Sequence, residues 1–451
     1  MGSNKLIIFA IPVINLPSVN NEDLTNFYKI KYEFPYGAMS VSSFLVQNGV
    51  ESFVVSLDCH ISSKKTALQE SKALIQSFIC KSGGNNLSIG FSVNYKIQET
   101  FSVALINWFS QEYGRVNLLI GGSHSTVLYN KIKGPNHFVI KGEGEAETLR
   151  FMKGNYLIRH DRLIDNNMFT ISLTERILEM PEINFELLLL PDNIKWNDFS
   201  FFMPTSRGCV GKCSFCTSSS LWSGGVKYKE LTKVEREIAF LASQNVTIID
   251  LVDDIICVDI KRLYEIVGIT KKFPDISFPI MTRIDLLTRD VVDVLSSSNM
   301  KSIFVGIETT QKSVLREMNK RITVDKDLLN LEYAASKGLI VGTFWMIGHP
   351  GATRDSDLRS IDDLFDLIRK KLINGVSGGI FLPIPFTKSY YHPHVKLLDV
   401  PCELWTGTHP VHRLEDHAGS VLYHEDQIMD VGKKSISALK QFSIENDDLN
   451  V

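Results

Sequence analysis

The sequence predicts an α/β protein in which an N-terminal Rossmann-like, doubly wound parallel sheet is followed by a partial (β/α)6 barrel and a small C-terminal helical region. Short apolar runs alternate with helix-length segments through most of the 451 residues, which is typical of parallel strands joined by helices. A chain of this length exceeds one ordinary core. We therefore predict domains at residues 1–155 and 199–390, a connector at 156–198 and an extension at 391–451.

The first domain contains five apolar runs that are predicted strands and three longer segments that are predicted helices. The strands are 6–13, 52–57, 87–93, 116–120 and 138–140, and the helices lie near 37–48, 65–80 and 97–113. Ligands of such sheets bind beyond the carboxyl ends of the strands. Those ends carry Gly121, Gly122, His124 and Glu143. The glycine pair suits either close approach of the backbone to a flat ligand or a tight turn.

The connector and the second domain follow the same logic. The connector is predicted to contain a short hairpin at 157–163 and a tether at 181–187. The alternation then resumes with six predicted strands, at 199–204, 247–253, 276–282, 302–307, 340–347 and 378–383. Helical segments lie between them, for instance at 234–243 and 356–370. Six such units are expected to form an incomplete barrel.

Composition limits the kinds of partner. The net charge is −3 and 22% of residues are charged, so no large electrostatic field favours nucleic acid or an anionic membrane. We expect a small-molecule or peptide substrate. The seven cysteines do not form a disulfide framework and suit a reducing, cytoplasmic compartment. The first apolar run is too short to span a bilayer, so we expect no membrane association.

Three cysteines are the most informative feature of the chain. Cys209, Cys213 and Cys216 are spaced C-x3-C-x2-C, which predicts a four-iron, four-sulfur cluster with one iron not held by the protein. The alternative is a zinc site, but structural zinc takes four ligands, and neither a second C-x2-C nor an H-x3-5-H follows. The open iron can bind a substrate or a cofactor.

This segment resembles the signature of the radical S-adenosylmethionine superfamily, in which an aromatic residue, here Phe215, precedes the last cysteine. The resemblance implies that S-adenosylmethionine (SAM) chelates the open iron through its amino and carboxylate groups. It also implies that one electron, from a donor such as flavodoxin or ferredoxin, splits SAM into methionine and a 5'-deoxyadenosyl radical, which abstracts hydrogen from unactivated carbon.

Polar residues at the ends of the predicted barrel strands are the candidates for the SAM pocket, because barrel enzymes place their active groups there. Glu308 is the leading acceptor for the amine or the ribose hydroxyls. Arg283 is a candidate donor to the SAM carboxylate, or an ion-pair partner of Glu308. Asp253 and Asp254 stand where the superfamily often has Gly-Gly-Glu, and Gly348 opens a Gly-His-Pro-Gly turn after the fifth strand.

The first domain resembles the cobalamin-binding domain that precedes the radical domain in one branch of the superfamily. The resemblance rests on GGSHST at 121–126 and IKGEGEAETL at 140–149, and it implies that Gly121, Gly122, His124 and Glu143 contact cobalamin. Many such domains offer a D-x-H-x-x-G loop after the first strand, which is absent here. The related start at Asp58 to His60 follows the second strand instead. Cobalamin therefore binds without a protein ligand to cobalt, or the domain is a remnant.

The leading functional hypothesis is cobalamin-dependent methylation of an unactivated carbon. One alternative is a cobalamin-independent peptide epimerase or cyclase, with Cys402 or Cys257 returning a hydrogen atom. A second is a non-enzymatic iron-sulfur regulator. The C-terminal region holds six further histidines, which match no zinc spacing and most of which are expected to be solvated: His392, His394, His409, His412, His417 and His424. A closing helix is predicted from apolar residues at helical spacing between 428 and 442.

Overall fold

The computed structural model describes residues 5–11, 32–82, 86–125, 131, 132, 134, 136–155, 163–165, 179–218, 225–400 and 410–445. The chain divides into two compact units: Met1–Phe201 with Lys227–Asn245, and Phe202–Val226 with Val246–Val451. The sequence assigns 227–245 to the barrel, whereas here this segment belongs to the first unit. Among the residues described, no helix combines the length and apolarity needed to cross a membrane.

Most strands are short and follow one another in a regular order. They are β1 Lys5–Ala10, β2 Tyr32–Glu33, β3 Glu51–Ser56, β4 Leu87–Ser92, β5 Asn117–Gly121, β6 His137–Lys141, β7 Leu163–Asp165, β8 Phe199–Ser200, β9 Phe202–Met203, β10 Ser206–Arg207, β11 Lys227–Tyr228, β12 Asp250–Leu251, β13 Ile280–Arg283, β14 Ser302–Glu308, β15 Ile340–Ile347, β16 Gly375–Ile380, β17 Val395–Leu397, β18 His412–Glu415 and β19 Val421–Tyr423.

The α-helices alternate with these strands. They are α1 Tyr36–Gln47, α2 Ala67–Lys81, α3 Glu99–Glu112, α4 Gly144–Met152, α5 Leu231–Ser243, α6 Ile260–Thr270, α7 Arg289–Ser296, α8 Lys312–Glu317, α9 Val324–Ser336, α10 Arg354–Arg369 and α11 Glu425–Glu445.

The first unit is built on a parallel sheet in the order β3-β1-β4-β5-β6-β7. All six residues of β4 are buried, as expected for a central strand covered on both faces. The five predicted strands are confirmed. The sixth, β7, was not predicted as part of this sheet because three residues carry no readable periodicity. Residues 157–162 of the predicted hairpin lie outside the described part of the chain.

A buried ion pair joins separate segments within the first unit. Lys229 and Glu237 are both fully buried, and the Lys229 ammonium lies 2.8 Å from each Glu237 carboxylate oxygen. The Tyr36 hydroxyl donates to Glu237, and the backbone N–H of Ile183 donates to its other oxygen at 2.8 Å. Because every group has a partner, the two charges are tolerated away from water and tie α1, the connector and α5 together.

We predict that Lys229→Met destabilises the protein by about 3–5 kcal/mol, because it leaves the Glu237 charge buried without its counterion. The matched control is Arg236→Met. Arg236 pairs with Glu182 at 2.7 Å but its side chain is 57% exposed, so its loss should cost under about 1 kcal/mol. Chemical denaturation of both variants checks this. Equal losses of stability in the two variants would show that burial does not determine how much the Lys229–Glu237 ion pair contributes to stability.

The second unit is built on a parallel sheet whose spatial order, β9-β12-β13-β14-β15-β16, follows the chain. This is the predicted partial barrel. Four strands differ in extent from the prediction. Of these, β12 Asp250–Leu251 and β13 Ile280–Arg283 are shorter than the predicted 247–253 and 276–282. The predicted 199–204 strand is two segments, of which β8 pairs with β2 and β9 with β12. The last strand begins at Gly375 rather than 378, because its glycine-rich start lacks an apolar signal.

The two faces of the second sheet differ in exposure. One face is fully buried, with Met203, Leu251, Ile280, Ile303 and Val341 in equivalent register. The alternate positions of the same strands are only partly covered: Phe202, Asp250, Met281, Phe304 and Phe344. Parallel sheets are normally covered on both faces. An open face lined by aromatic and thioether side chains is therefore the expected place for a ligand.

The C-terminal region differs in part from the prediction. The predicted closing helix is confirmed as α11, in which Ile428 and Val431 are fully buried. In addition, β17, β18 and β19 form an antiparallel sheet that the sequence did not indicate. Its strands have only three or four residues, too few for the alternation of a strand to stand out.

Candidate functional site

The thiols of Cys209, Cys213 and Cys216 are partly exposed and form no disulfide. Gly211 lies between the first two, and a Cβ at this glycine would be 3.2 Å from Cys209 Sγ and 4.0 Å from Cys213 Sγ. The Gly211 N–H donates to Cys209 Sγ at 3.3 Å. Glycine at this position therefore leaves room for two thiols on one side of the loop, which fits the three-thiolate donor set of an iron-sulfur cluster.

The two predicted aspartates hold the stem of the cysteine loop. Asp254 accepts from the Gly208 N–H at 2.8 Å and from the Ser218 hydroxyl. Asp253 is buried and accepts from Ser206 N–H at 2.8 Å and from both the N–H and the hydroxyl of Thr205. Burial raises the pKa of Asp253. Both carboxylates therefore accept hydrogen bonds from the backbone of the loop.

The Arg283 side chain contacts both the cysteine loop and Asp285. Its Nε and Nη2 lie 2.8 and 3.0 Å from the two carboxylate oxygens of Asp285, and its Nη1 lies 3.6 Å from Cys213 Sγ. The expected alternative, an ion pair with Glu308, is wrong, because Glu308 has another partner. Burial raises the pKa of the Cys209 and Cys213 thiols, so bound iron would have to displace their protons.

The partner of Glu308 is Lys320, which the sequence did not single out as a site residue. The ammonium lies 2.6 Å from Glu308 Oε1, and both side chains are buried. Glu308 has a φ of +69°, a strained conformation for a residue other than glycine, at an irregularity in the pairing of β14 with β15. The Lys320 Nζ also lies 5.9 Å from the centre of the Phe215 ring, so the pair adjoins the cysteine loop.

Gly306 provides the space for this ion pair. A Cβ at position 306 would be 2.7 Å from Lys320 Nζ and 2.8 Å from Glu308 Oε1, which is closer than real Cβ contacts allow. The signal for Lys320 in the sequence is weak, because one lysine twelve residues after Glu308 has no visible reason to turn back toward it.

We predict that Gly306→Ala displaces the Glu308 carboxylate and weakens SAM binding by about tenfold or more, equivalent to at least about 1.4 kcal/mol. The control is Gly268→Ala, since a Cβ at position 268 in α6 would meet nothing within 4 Å; this helical substitution should stabilise the protein slightly. Isothermal titration with SAM measures both. Unchanged affinity in Gly306→Ala would remove Glu308 from the pocket.

A hydrogen-bonded chain connects the end of β15 to the middle of the cysteine loop. His349 Nδ1 lies 2.7 Å from the Pro350 carbonyl and its Nε2 lies 3.0 Å from Ser389 Oγ. Burial lowers the pKa of His349 to about 3, so the ring is neutral, and its proton lies on Nδ1, which donates to the Pro350 carbonyl. Ser389 bonds Ser214 twice, hydroxyl to hydroxyl at 2.8 Å and N–H to carbonyl at 2.9 Å. Neither His349 nor Ser389 was a predicted site residue.

Gly348, a predicted cofactor-binding residue, forms hydrogen bonds that stabilise the fold. Its φ is +73°, its N–H donates to Asp357 at 2.7 Å, and its carbonyl accepts from His412 Nε2 at 2.7 Å. Burial raises the pKa of Asp357 to about 7. The backbone polar groups of the predicted cofactor-binding glycine are thus engaged within the second unit.

The C-terminal histidines are not uniformly solvated as expected. His412 is fully buried, whereas the His392 ring lies 2.9 Å from Glu317 and the His394 ring contacts those of His392 and His417. His409 lies outside the described residues. In the described ranges, no three His, Cys, Asp or Glu side chains are placed to hold a single metal ion.

Burial lowers the pKa of His412 to about 4 from 6.5. Between these two pH values the unfolded chain therefore binds a proton at His412 that the folded chain does not bind. We predict that this difference lowers the free energy of unfolding by roughly 3 kcal/mol as pH falls from 7 to 4. His412→Phe should be less stable at pH 7, having lost the bond to Gly348, but should show a shallower decline on acidification. Urea unfolding across this pH range checks it. His424→Phe, at a largely exposed position, should keep the wild-type slope, and an equal slope in His412→Phe would contradict the assignment.

Two of the predicted cobalamin-contacting residues of the first unit, His124 and Glu143, are held by neighbouring side chains. His124 is buried, with Nε2 3.1 Å from Glu99, and Glu143 pairs with Lys227 at 2.7 Å. Gly122 has a φ of +102°, and a Cβ there would be 2.4 Å from the Val93 carbonyl oxygen, so the turn requires glycine. A Cβ at Gly121 would meet nothing within 4 Å, which leaves open space on that side.

The two candidate hydrogen donors have different outcomes. Cys257 is buried beside Thr282, and burial raises the pKa of its thiol to about 12. Thr282 belongs to the covered side of β13, so the structure argues against delivery of a hydrogen atom to the open face by Cys257. Cys402 lies outside the described residues.

A comparison with known protein families identifies the segment that contains the cysteine loop. Residues 203–364 match the profile of the Radical SAM superfamily. This part of the chain is a radical SAM domain. The matched residues run from β9 into α10 and include the three cysteines, Arg283, Glu308 and Lys320. The predictions of the superfamily, of its [4Fe–4S] cluster and of SAM are confirmed.

The relatives with curated names include methyltransferases and a putative methylthiotransferase, and all are of modest similarity. An uncharacterized methyltransferase of Pyrococcus horikoshii is 25% identical over 54% of this chain and 53% of its own length. The hopanoid C-3 methylase of Methylococcus capsulatus is 23% identical over 67% of this chain and 59% of its own. The chain thus spans between half and two thirds of the length of these relatives.

Solved structures share the fold along most of the chain. The radical SAM methyltransferase TsrM of Kitasatospora setae, bound to cobalamin and a [4Fe–4S] cluster, is 15% identical, with a TM-score of 0.64 over 93% of this chain and 83% of that one. The cobalamin-dependent radical SAM enzyme OxsB is 12% identical, with a TM-score of 0.62 over 98% and 67%. The predicted combination of a Rossmann-like sheet with a partial barrel is confirmed.

Proposed function

We propose that this protein is a cobalamin-dependent radical SAM methyltransferase acting on an unactivated carbon of a small-molecule or peptide substrate. The observation that carries the proposal is the set of three free thiols in the loop that begins the radical SAM domain, in a chain that shares its fold with TsrM and OxsB over 93% and 98% of its length. The curated relatives, named as methyltransferases, support transfer of a methyl group.

Each residue of the site has a defined task in this proposal. Cys209, Cys213 and Cys216 would hold the cluster, which supplies the electron that cleaves SAM. Arg283 stabilises the Cys213 thiolate by its positive charge, at 3.6 Å. Lys320 lies 2.6 Å from Glu308 Oε1, which would leave Oε2 to accept a hydrogen bond from the amine of SAM. The open, aromatic face of the second sheet takes the substrate.

Cobalamin would bind at the strand ends of the first sheet and carry the methyl group. Support comes from the fold of that unit and from the open space at Gly121. His124 and Glu143 have partners within the unit and would shape the site through them. His60, the nearest match to a cobalt-ligating histidine, is partly buried, and its pKa is lowered chiefly by burial. We therefore propose binding without a protein ligand to cobalt, in a reducing compartment that keeps the thiols free.

Anaerobic reconstitution tests the proposal. The wild-type protein should bind about four iron atoms, retain a corrinoid with its visible absorbance, and convert SAM into both S-adenosylhomocysteine and 5'-deoxyadenosine. Cys213→Ser should lose the cluster, because one of three thiolates is gone. Glu308→Gln should keep the iron but bind SAM roughly tenfold more weakly. Iron-loaded protein that cleaves SAM but retains no corrinoid would eliminate methyl transfer while preserving radical chemistry.

A further inference from the structure

An acidic side chain interrupts the apolar surface of the open face of the second sheet. Asp250 lies in β12, directly beside Phe202 of β9. The next positions across the same face are Met281 of β13 and Phe304 of β14, which pair with each other. All four side chains are incompletely covered, and Phe202 is 39% exposed. The face therefore presents one carboxyl group beside aromatic and thioether side chains.

Asp250 differs from the other charged residues of this sheet in having no side-chain partner. Among the described residues, its carboxyl group accepts a hydrogen bond only from its own backbone N–H. Asp254, Arg283 and Glu308, at the carboxyl ends of the strands, all bond to neighbouring groups.

The environment of Asp250 makes an opposite charge favourable there. Burial raises the pKa of Asp250 to about 6, because the ionised form has lost part of its hydration. The carboxyl group is nevertheless mainly ionised at pH 7. A partly desolvated charge without a counterion destabilises a protein, and a cation that reaches it removes that cost.

The aromatic side chains on the same face favour the same sign of charge. A Cβ at Gly342 would be 2.7 Å from two carbons of the Phe304 ring, so this glycine gives the ring room to lie against β15. The rings of Phe304 and Phe344 are 5.4 Å apart and tilted by 43°, and both remain partly exposed. The faces of aromatic rings attract cations, most strongly where water is excluded. The carboxylate and the rings therefore suit a ligand that is apolar and positively charged.

We propose that Asp250 binds a cationic group of the substrate, an ammonium or a guanidinium, while the apolar part of the substrate lies on Phe304 and Phe344. This inference rests on the proposed function and names the class of its substrate. The cation donates charge-assisted hydrogen bonds to the carboxylate. Asp250 precedes Asp254, which holds the stem of the cysteine loop, by four residues, or about 13 Å of extended strand. The cationic group is therefore at the end of the substrate away from the methylated carbon.

The test compares two probes of equal length, 4-phenylbutylammonium and the neutral 4-phenylbutan-1-ol, titrated into the reconstituted enzyme at pH 7.5 and followed by NMR of the probe. The wild type should bind the ammonium about tenfold or more tightly than the alcohol. In Asp250→Asn the ammonium should bind about tenfold more weakly, with no change for the alcohol. Asp250→Glu should keep the preference for the ammonium. Phe304→Leu should weaken both probes by the same factor, because it removes apolar and aromatic contact only.

The matched control is Asp362→Asn, which changes the net charge equally at an exposed position of α10 and should bind both probes like the wild type. Urea unfolding should show Asp250→Asn to be no less stable than the wild type, because the substitution removes a charge that has no partner. The proposal is overturned by a wild type without preference for the ammonium, by unchanged affinity in Asp250→Asn, by equal weakening of both probes in that variant, or by an equal loss in the control. Failure of the wild type to cleave SAM would instead overturn the proposed function, since probe binding is measured without turnover.

Discussion

The geometry of the candidate site depends on how one short loop is fastened to the ends of the barrel strands. Asp253 and Asp254, after β12, accept hydrogen bonds from the stem of the cysteine loop. Arg283, at the end of β13, contacts a ligand thiol, and Ser389 bonds the residue that follows Cys213. Thiolates must occupy fixed positions to hold a cubane cluster, and these contacts restrict the loop before metal arrives. Catalysis by such an enzyme requires this rigidity, because cofactor and electron must meet at one iron.

The polar groups around the loop serve two different tasks. Asp253 and His349 are buried, and burial raises the pKa of the first and lowers that of the second, which is typical of groups that support structure through hydrogen bonds. Glu308 and Lys320 form a charged pair whose carboxylate retains one oxygen for a ligand. In the proposed function, the first group positions the loop and the second group binds SAM. Asp253, which was predicted to contact the cofactor, also shapes the loop that carries the cysteines.

Sequence reasoning recovered the parts of the molecule that repeat a local rule. The alternation of apolar runs with helices located β1, β3, β4, β5 and β6, and cysteine spacing alone indicated a cluster with an open iron. It did not find β7 or the antiparallel strands near the carboxyl end, because segments of three or four residues have no measurable period. It also gave Glu308 as an alternative partner of Arg283. Lys320 and Asp285 are the actual partners, and which side chains meet across strand ends is decided by packing that spacing does not record.

The missing side chain at Gly306 has a consequence for how this site can vary. The volume that a methyl group would take at this position is filled by the ammonium of Lys320 and an oxygen of Glu308. The residues at positions 306, 308 and 320 therefore constrain one another and are expected to change together. A sequence that carries alanine at the first must shorten or redirect the side chain at the third, and any attempt to transplant the carboxylate into another barrel must carry the glycine and the lysine with it.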